Sequence, residues 1–196
     1  MEEVKECTKG GRGMGDGGRA KGEDGRARTT KQCRGAKLVT RVSMRLDPER
    51  IDPDWAHYPN TILTFLANPA VRIDLRQVLR ADALARLKEI GLGDSFAILT
   101  AFDPDGRDLS ARENEQRQAE LEARLAAGRY DFVRVEACSS DRSHCEHSVA
   151  VRMSQRSAVD LAREFGQVAI FWFDGKAFWI VGAIGKTDPL MLPRNA

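Results

Sequence analysis

At 196 residues with 42% apolar content, the chain can bury one good hydrophobic core, and its length favours one domain over two. The net charge of +2 is unevenly placed: residues 1–43 hold 11 Lys and Arg against 6 Asp and Glu, and the remainder holds 20 against 23. The body is therefore mildly acidic and lacks the electrostatic footprint of a nucleic-acid binder.

The first 43 residues contain no aromatic residue and no hydrophobic periodicity, and are expected to form a disordered Gly/Arg-rich tail, because they cannot bury enough surface to offset the entropy of ordering. Three readings stay open. Translation begins at Met44 and the upstream residues are an over-extended gene start, or the tail is real and simply solvated, or it makes weak contacts with RNA or anionic surfaces. No apolar h-region follows the first charges, so no secretory leader is expected. Two of the four cysteines, Cys7 and Cys33, lie in this tail, so a disulfide framework is not expected and a reducing cytoplasm fits the composition better.

From Met44 the character changes. Two Asp-Pro breaks lead into a β-prone segment at 61–66. Leu84, Leu87 and Ile90 at helical spacing predict a helix over 81–91, stopped at Gly91. SFAILTAF (95–102) is a buried-strand run ended by Asp103-Pro104-Asp105-Gly106. The capping box Ser110-Ala111-Arg112-Glu113 predicts a helix from Ser110 to about Ala127, closed by Gly128. YDFVRVEA and SVAVRM predict two strands, and SQRSAVDLAREFG a helix with Ala158, Leu161, Ala162 and Phe165 on one stripe.

The last unit, VAIFWFDGKAFWIVGA (168–183), is a hairpin about Asp174-Gly175, in which Trp172 is expected opposite Ala177 and Ile170 opposite Trp179. Both of its faces are apolar, so it should be covered on both sides, by helices or by a partner subunit, which leaves a homodimer open. Its apolar run is broken by Asp174, Gly175 and Lys176, which excludes a membrane span of about 20 apolar residues.

Within EACSSDRSHCEHSVAV (136–151) two cysteines and two histidines crowd together, and a metal site is the first question they raise. A structural zinc site wants three or four Cys/His ligands, commonly from two separated knuckles. Side chains alternate along an extended strand, so His144, Glu146 and Ser148 should share one face while Cys145 and His147 take the other. That splits the would-be ligands, and neither a metal nor another cofactor is expected here. A Cys-His nucleophile has no signal for a depressed thiol pKa.

The segments SFAILTAFDPDGRDLSARENEQR, SHCEHSVAV, LAREFGQVAIFWFDG and FWIVGA resemble the bacterial family catalogued as domain of unknown function 3293, over roughly residues 58–184. The resemblance singles out Thr100, Asn114, Arg117, His144, Glu146 and Gln167 as positions matching the family's recurrent motifs. The chain departs from the pattern at Asp103, more often Asn, and at Ala137, often Gly. That family has no established activity, so the resemblance implies a fold and no reaction.

On the helix from Ser110, Asn114, Arg117, Gln118, Leu121 and Leu125 share a face that the leucines mark as buried. Asn114 and Arg117 therefore need polar partners inside. Either Arg117 pairs with a carboxylate such as Asp103 and pins the loop, or it awaits an anionic ligand in a pocket. His144 and Glu146 are a base and its orienter or a simple hydrogen-bonded pair. Gln167 follows Gly166 and can bond the carbonyls of a helix end.

These readings imply a single α+β domain over 50–186, a mixed sheet with a central C-terminal hairpin and about three packed helices, followed by a C-terminal tail at 187–196. Thr100, Asp103, Asn114, Arg117 and Gln167 are the candidate binding residues, with His144 and Glu146 the candidate catalytic pair. At least four of these seven are expected around one site with Arg117 as its positive centre. The function implied is a small-ligand or protein-binding module without membrane association. The alternative is an enzyme using His144 and Glu146 for proton transfer on an anionic substrate.

Overall fold

The computed structural model describes residues 47–194, so the tail of residues 1–43 lies outside the described residues. The chain opens with a one-turn helix α1 (Pro48–Ile51) and a 3-10 segment (Pro53–Asn60), each started by an aspartate: Asp47 accepts from the backbone N–H of Glu49 and Asp52 from that of Asp54. These are the two Asp-Pro breaks of the sequence, with each proline at the first helical position, where its missing N–H costs nothing.

There follow β1 (Ile62–Phe65), β2 (Val71–Asp74), α2 (Ala81–Glu89), β3 (Phe96–Thr100), a 3-10 turn (Pro104–Gly106) and α3 (Ala111–Ala127). The chain continues through β4 (Phe132–Cys138), β5 (Cys145–Val151), α4 (Gln155–Glu164), β6 (Ala169–Phe173), β7 (Phe178–Gly182) and β8 (Leu190–Leu192). The Ser110 capping box forms as its sequence demands, with Ser110 and Glu113 each bonding the other's backbone N–H.

The strands make one eight-stranded sheet in the order β2-β1-β4-β5-β3-β6-β7-β8. Every pairing is antiparallel, which corrects the expected mixed sheet. The helical crossovers that could have produced parallel neighbours do not: α4 carries the chain from β5 to β6, yet β3 lies between them and pairs antiparallel with both.

Alternation along the strands gives the sheet two apolar faces. One carries Phe65, Phe96, Ile98, Val135, Phe173 and Phe178 and packs against Leu87 of α2 and against Trp55 and Tyr58 of the N-terminal segment. The other carries Leu99, Val149, Ile170, Trp172 and Val181 and packs against Leu121 and Leu125 of α3 and Ala158 and Ala162 of α4. Truncating a fully buried ring such as Phe96, which stacks on Phe173 and Phe178, would cost about 3–5 kcal/mol.

The β6–β7 hairpin is interior to the sheet with both faces apolar, although its register differs from the simple turn count: Trp172 pairs with Trp179 and Ile170 with Val181. The Asp174 carboxylate draws Lys176 and Ala177 into the turn by accepting both their N–H groups at 2.8 Å. The slip is two positions, and a two-residue slip keeps every side chain on its own face.

Residues 190–192, expected to lie in a tail, form the edge strand β8, held by Leu192, which is buried against Phe178 in register. Among the described residues, no helix is long and apolar enough to cross a membrane.

The cysteines also depart from expectation. Cys138 and Cys145 face each other across the β4–β5 hairpin, the last pair of that ladder, and are joined by a disulfide. Starting the second strand at Cys145 instead of Ser148 brings the two thiols opposite one another, which the spacing alone did not reveal.

Candidate functional site

β3 ends at Thr100, and the next three residues are held by side chains rather than by the sheet. Gln118 accepts from the N–H of Ala101 at 3.1 Å, and Arg117 donates to the Ala101 carbonyl at 2.9 Å and to the Phe165 carbonyl at 2.6 Å. Gln167 donates to the Phe102 carbonyl at 2.7 Å, and Thr100 bridges the Phe102 N–H and the His147 carbonyl. Asn114 accepts from the N–H of Asp103 and donates to its Oδ1, which also receives the Leu109 N–H.

The inward polar face of α3 is thus spent mainly on backbone and on the Asp103 carboxylate, with Gln118 Nε2 buried and without a hydrogen-bond partner among the described residues. Arg117 makes no pair with Asp103, because its guanidinium is already satisfied by two carbonyls and Asp103 is satisfied by Asn114 and Leu109. In place of the carboxylate pair, one of the two alternatives for Arg117, stands a clamp that holds the end of β3 to the end of α4.

The clamp fixes a sharp turn. Asp103 adopts φ 42°, a left-handed conformation that costs a non-glycine residue of order 1 kcal/mol, and it leads into Pro104. Two glycines let the turn sit close to its neighbours. Gly106, at φ +66°, lies against the Ile51 carbonyl where a Cβ would collide, and a Cβ at Gly166, at φ +74°, would come within 2.9 Å of Pro104. The turn is therefore wedged between the N-terminal segment and the end of α4.

Between these parts lies a cavity of about 490 Å³ on the sheet face that carries Ile98. Its lining comes from the N-terminal segment (Asp52, Asp54, His57, Tyr58), the turn (Phe102, Asp103, Asp108), the β4–β5 loop (Ser139, Asp141, His144) and the strands (Thr100, Glu146, Ser148, Phe171). Of the seven candidate residues, Thr100, Asp103, His144, Glu146 and Gln167 line it. Asn114 and Arg117 lie behind the 101–103 backbone and do not.

Six carboxylates, those of Asp52, Asp54, Asp103, Asp108, Asp141 and Glu146, and two histidines are in the lining, with no lysine or arginine. His144 Nε2 lies 3.0 Å from Glu146 Oε1. That hydrogen bond, with the charges of Glu146, Asp54 and Asp103, raises the imidazole to about 9 against a smaller opposing effect of burial. Tyr58 donates to Asp52 at 2.6 Å, and burial together with that carboxylate pushes its phenol well above the ordinary value.

Ser148, only 3% exposed, stands in the same side-chain row of β5 as Glu146 and lines the cavity with it and His144, and its hydroxyl makes no hydrogen bond among the described residues. His147, on the opposite side of the strand, pairs with Glu115 at 2.9 Å instead.

Sequence reasoning did not single out Asp52, Tyr58 or Ser148 as site residues. The Asp-Pro pair at 52–53 signals only a break before a β-prone segment and gives no hint that the aspartate also holds a tyrosine in a cavity. Ser148 was placed on the correct face, but its lack of a partner is a property of the packed structure.

Residues 99–170 match the family described as "Protein of unknown function (DUF3293)". The matched stretch contains all seven candidate residues and the clamp around residues 101–103, whereas the N-terminal wall of the cavity lies outside it. No curated protein and no solved structure matches the chain.

Proposed function

We propose that the chain is a small-ligand-binding α+β module whose site is this cavity, and that its ligand is cationic or a neutral, hydroxyl-rich molecule. The observation that carries the reading is the lining: five of the seven candidate side chains meet Asp52 and Tyr58 around one concavity holding six carboxylates and no basic side chain other than histidine. Fixed charges of one sign raise the local concentration of ligands of the other. The apolar patches of Ile98, Phe102 and Phe171 exclude water and strengthen the polar contacts. An anionic substrate held by Arg117 finds no support in this lining, because the guanidinium serves Ala101 and Phe165.

Thr100, Asp103 and Gln167 shape the wall, and His144, Glu146 and Ser148 present polar atoms to the ligand. A second reading, proton transfer by His144 and Glu146 on a bound substrate, draws on their 3.0 Å contact inside the concavity. A cytoplasmic location remains part of the proposal; disulfides are rare in that compartment, so the Cys138–Cys145 bond is the observation that weighs against it.

Thermal-shift measurements in EDTA test the main reading, comparing putrescine and arginine, neutral sugars, and citrate and phosphate. Stabilisation by members of the first two groups, lost in Glu146→Gln, is the expected result. Stabilisation by the anions alone would overturn the charge argument.

A further inference from the structure

The geometry points to a divalent-cation site inside the cavity, with Asp103, His144 and Glu146 as its protein ligands and a first-row transition ion as its occupant. The inference rests on the cavity being the ligand site proposed above.

The ligating atoms of these three residues lie within 4.8 Å of one another. An ion bound at about 2.0–2.2 Å from each donor bridges such a spread with small side-chain adjustments. Glu146 lies in β5 and His144 just before it, with their side chains 3.0 Å apart, and Asp103 is delivered by the clamped turn after β3. Asp103 Oδ1 is used by Asn114 and Leu109, which orients the carboxylate and leaves Oδ2 without a hydrogen bond or ion pair among the described residues. Such bonding of the inner oxygen is the support that ligating carboxylates characteristically have.

An observation independent of the three ligands also points to an occupant. Ser148, a residue only 3% exposed, lines the same cavity beside Glu146, and its hydroxyl has no hydrogen-bond partner among the described residues. A bound molecule or a metal-held water that accepts from this hydroxyl would supply the partner the protein does not.

The donor set selects the ion class. One imidazole nitrogen and two carboxylates suit a borderline transition ion better than Mg²⁺ or Ca²⁺, which prefer all-oxygen shells, or a soft ion that needs thiolates. Cys138 and Cys145 offer no thiolate, being joined to each other. Three protein ligands leave coordination positions open to water or to an oxygen of the bound molecule. The ion would lie between His144 Nε2 and Glu146 Oε1, where a single proton now joins them.

Mn²⁺ is the probe, because it shows little preference for the cysteines elsewhere in the chain. The full chain is stripped with EDTA, dialysed, and titrated with MnCl₂ while free Mn²⁺ is followed by EPR and heat by calorimetry. The expected result is one saturable ion per chain, with affinity reduced roughly tenfold or more in Asp103→Asn and in Glu146→Gln. Asp103→Asn keeps Oδ1 for Asn114 and Leu109, and melting curves show whether each variant is folded. Asp82→Asn, at an exposed pair with Arg80, should bind like the parent.

Absence of saturable binding at millimolar Mn²⁺, or one-ion binding unchanged in both site variants, would overturn the inference. If Mn²⁺ fails while putrescine, arginine or a sugar still stabilises the protein in EDTA, the cavity reading stands and the metal does not. If both fail, both fall.

Discussion

Asn114 and Asp103 hold each other by two hydrogen bonds, the Asp103 N–H to Asn114 Oδ1 at 2.9 Å and Asn114 Nδ2 to Asp103 Oδ1 at 2.8 Å. An α-helix that begins at a capping box thereby fixes the backbone and the carboxylate of a strained residue eleven positions earlier. The pair connects the packing of α3 to the shape of the cavity.

Removing Asn114 leaves the Asp103 N–H and carboxylate under-satisfied in a part-buried place. Asn114→Ala should cost about 1–3 kcal/mol in urea denaturation. Asn114→Asp should cost more, because it sets a carboxylate oxygen against Asp103 Oδ1. An Asn114→Asp variant as stable as the parent would show that the two side chains do not meet.

Arg117→Ala should lower stability by about 1–3 kcal/mol by leaving the Ala101 and Phe165 carbonyls without their donor. Arg117→Lys should recover only part of the loss, since one ammonium on a flexible stem cannot reproduce two fixed donors. The charge preference of ligand binding should be the same in parent and Arg117→Lys. A switch of that preference would return Arg117 to the binding site.

Tyr58 is held protonated by burial and by the carboxylate of Asp52, so its folded pKa lies above its unfolded value. The native state therefore binds the proton more tightly. The stabilisation is complete below about pH 10, the ordinary phenol value, and is lost as pH rises through the folded pKa. In absorbance titration at the phenolate band, the component that disappears in Tyr58→Phe should emerge only well above pH 10. Emergence at the ordinary value would contradict the burial.

His144 in protein stripped of metal should titrate near 9, chiefly because Glu146 hydrogen-bonds its ring. A raised pKa means that its contribution to stability is present below about pH 6.5 and fades between there and 9. Ring-proton NMR should follow this titration and show it falling toward the ordinary range in Glu146→Gln. A parent value already in that range would separate the two side chains.

The Cys138–Cys145 bond closes a short loop at the end of a ladder whose register is maintained by six further residue pairs. Its reduction should cost about 2 kcal/mol through chain entropy while leaving the sheet intact. Unfolding by dithiothreitol alone at room temperature would show that the ladder depends on the bond.

The elements were legible because each has a local cause. Ser110 and Glu113 announce α3, the apolar run 168–173 announces β6, and Leu84 and Leu87 announce α2. The direction of the sheet was not legible, since the insertion of β3 between β5 and β6 depends on pairing between distant segments. For the site, the face shared by His144, Glu146 and Ser148 followed from strand alternation. The use of Arg117 did not: its inward direction was readable, but whether it met a carboxylate, a ligand or a carbonyl depended on where α4 ended. The wall supplied by Asp52 and Tyr58 carried only a turn signal and lay hidden for that reason.

The pairing of β1 with β4 carries a consequence for how this molecule comes into being. Ile62 must find Cys138, and until it does, the β1–β2 hairpin has an open edge and an apolar face bearing Leu63, Phe65 and Ile73 with nothing beneath it. A two-stranded hairpin is barely stable alone in water. During synthesis it leaves the ribosome well before its partner strand and spends that interval as a sticky, half-made surface. Closure waits on a long excursion of the chain through β3 and α3, so assembly should be slow for a protein of this size and most vulnerable to aggregation in that interval.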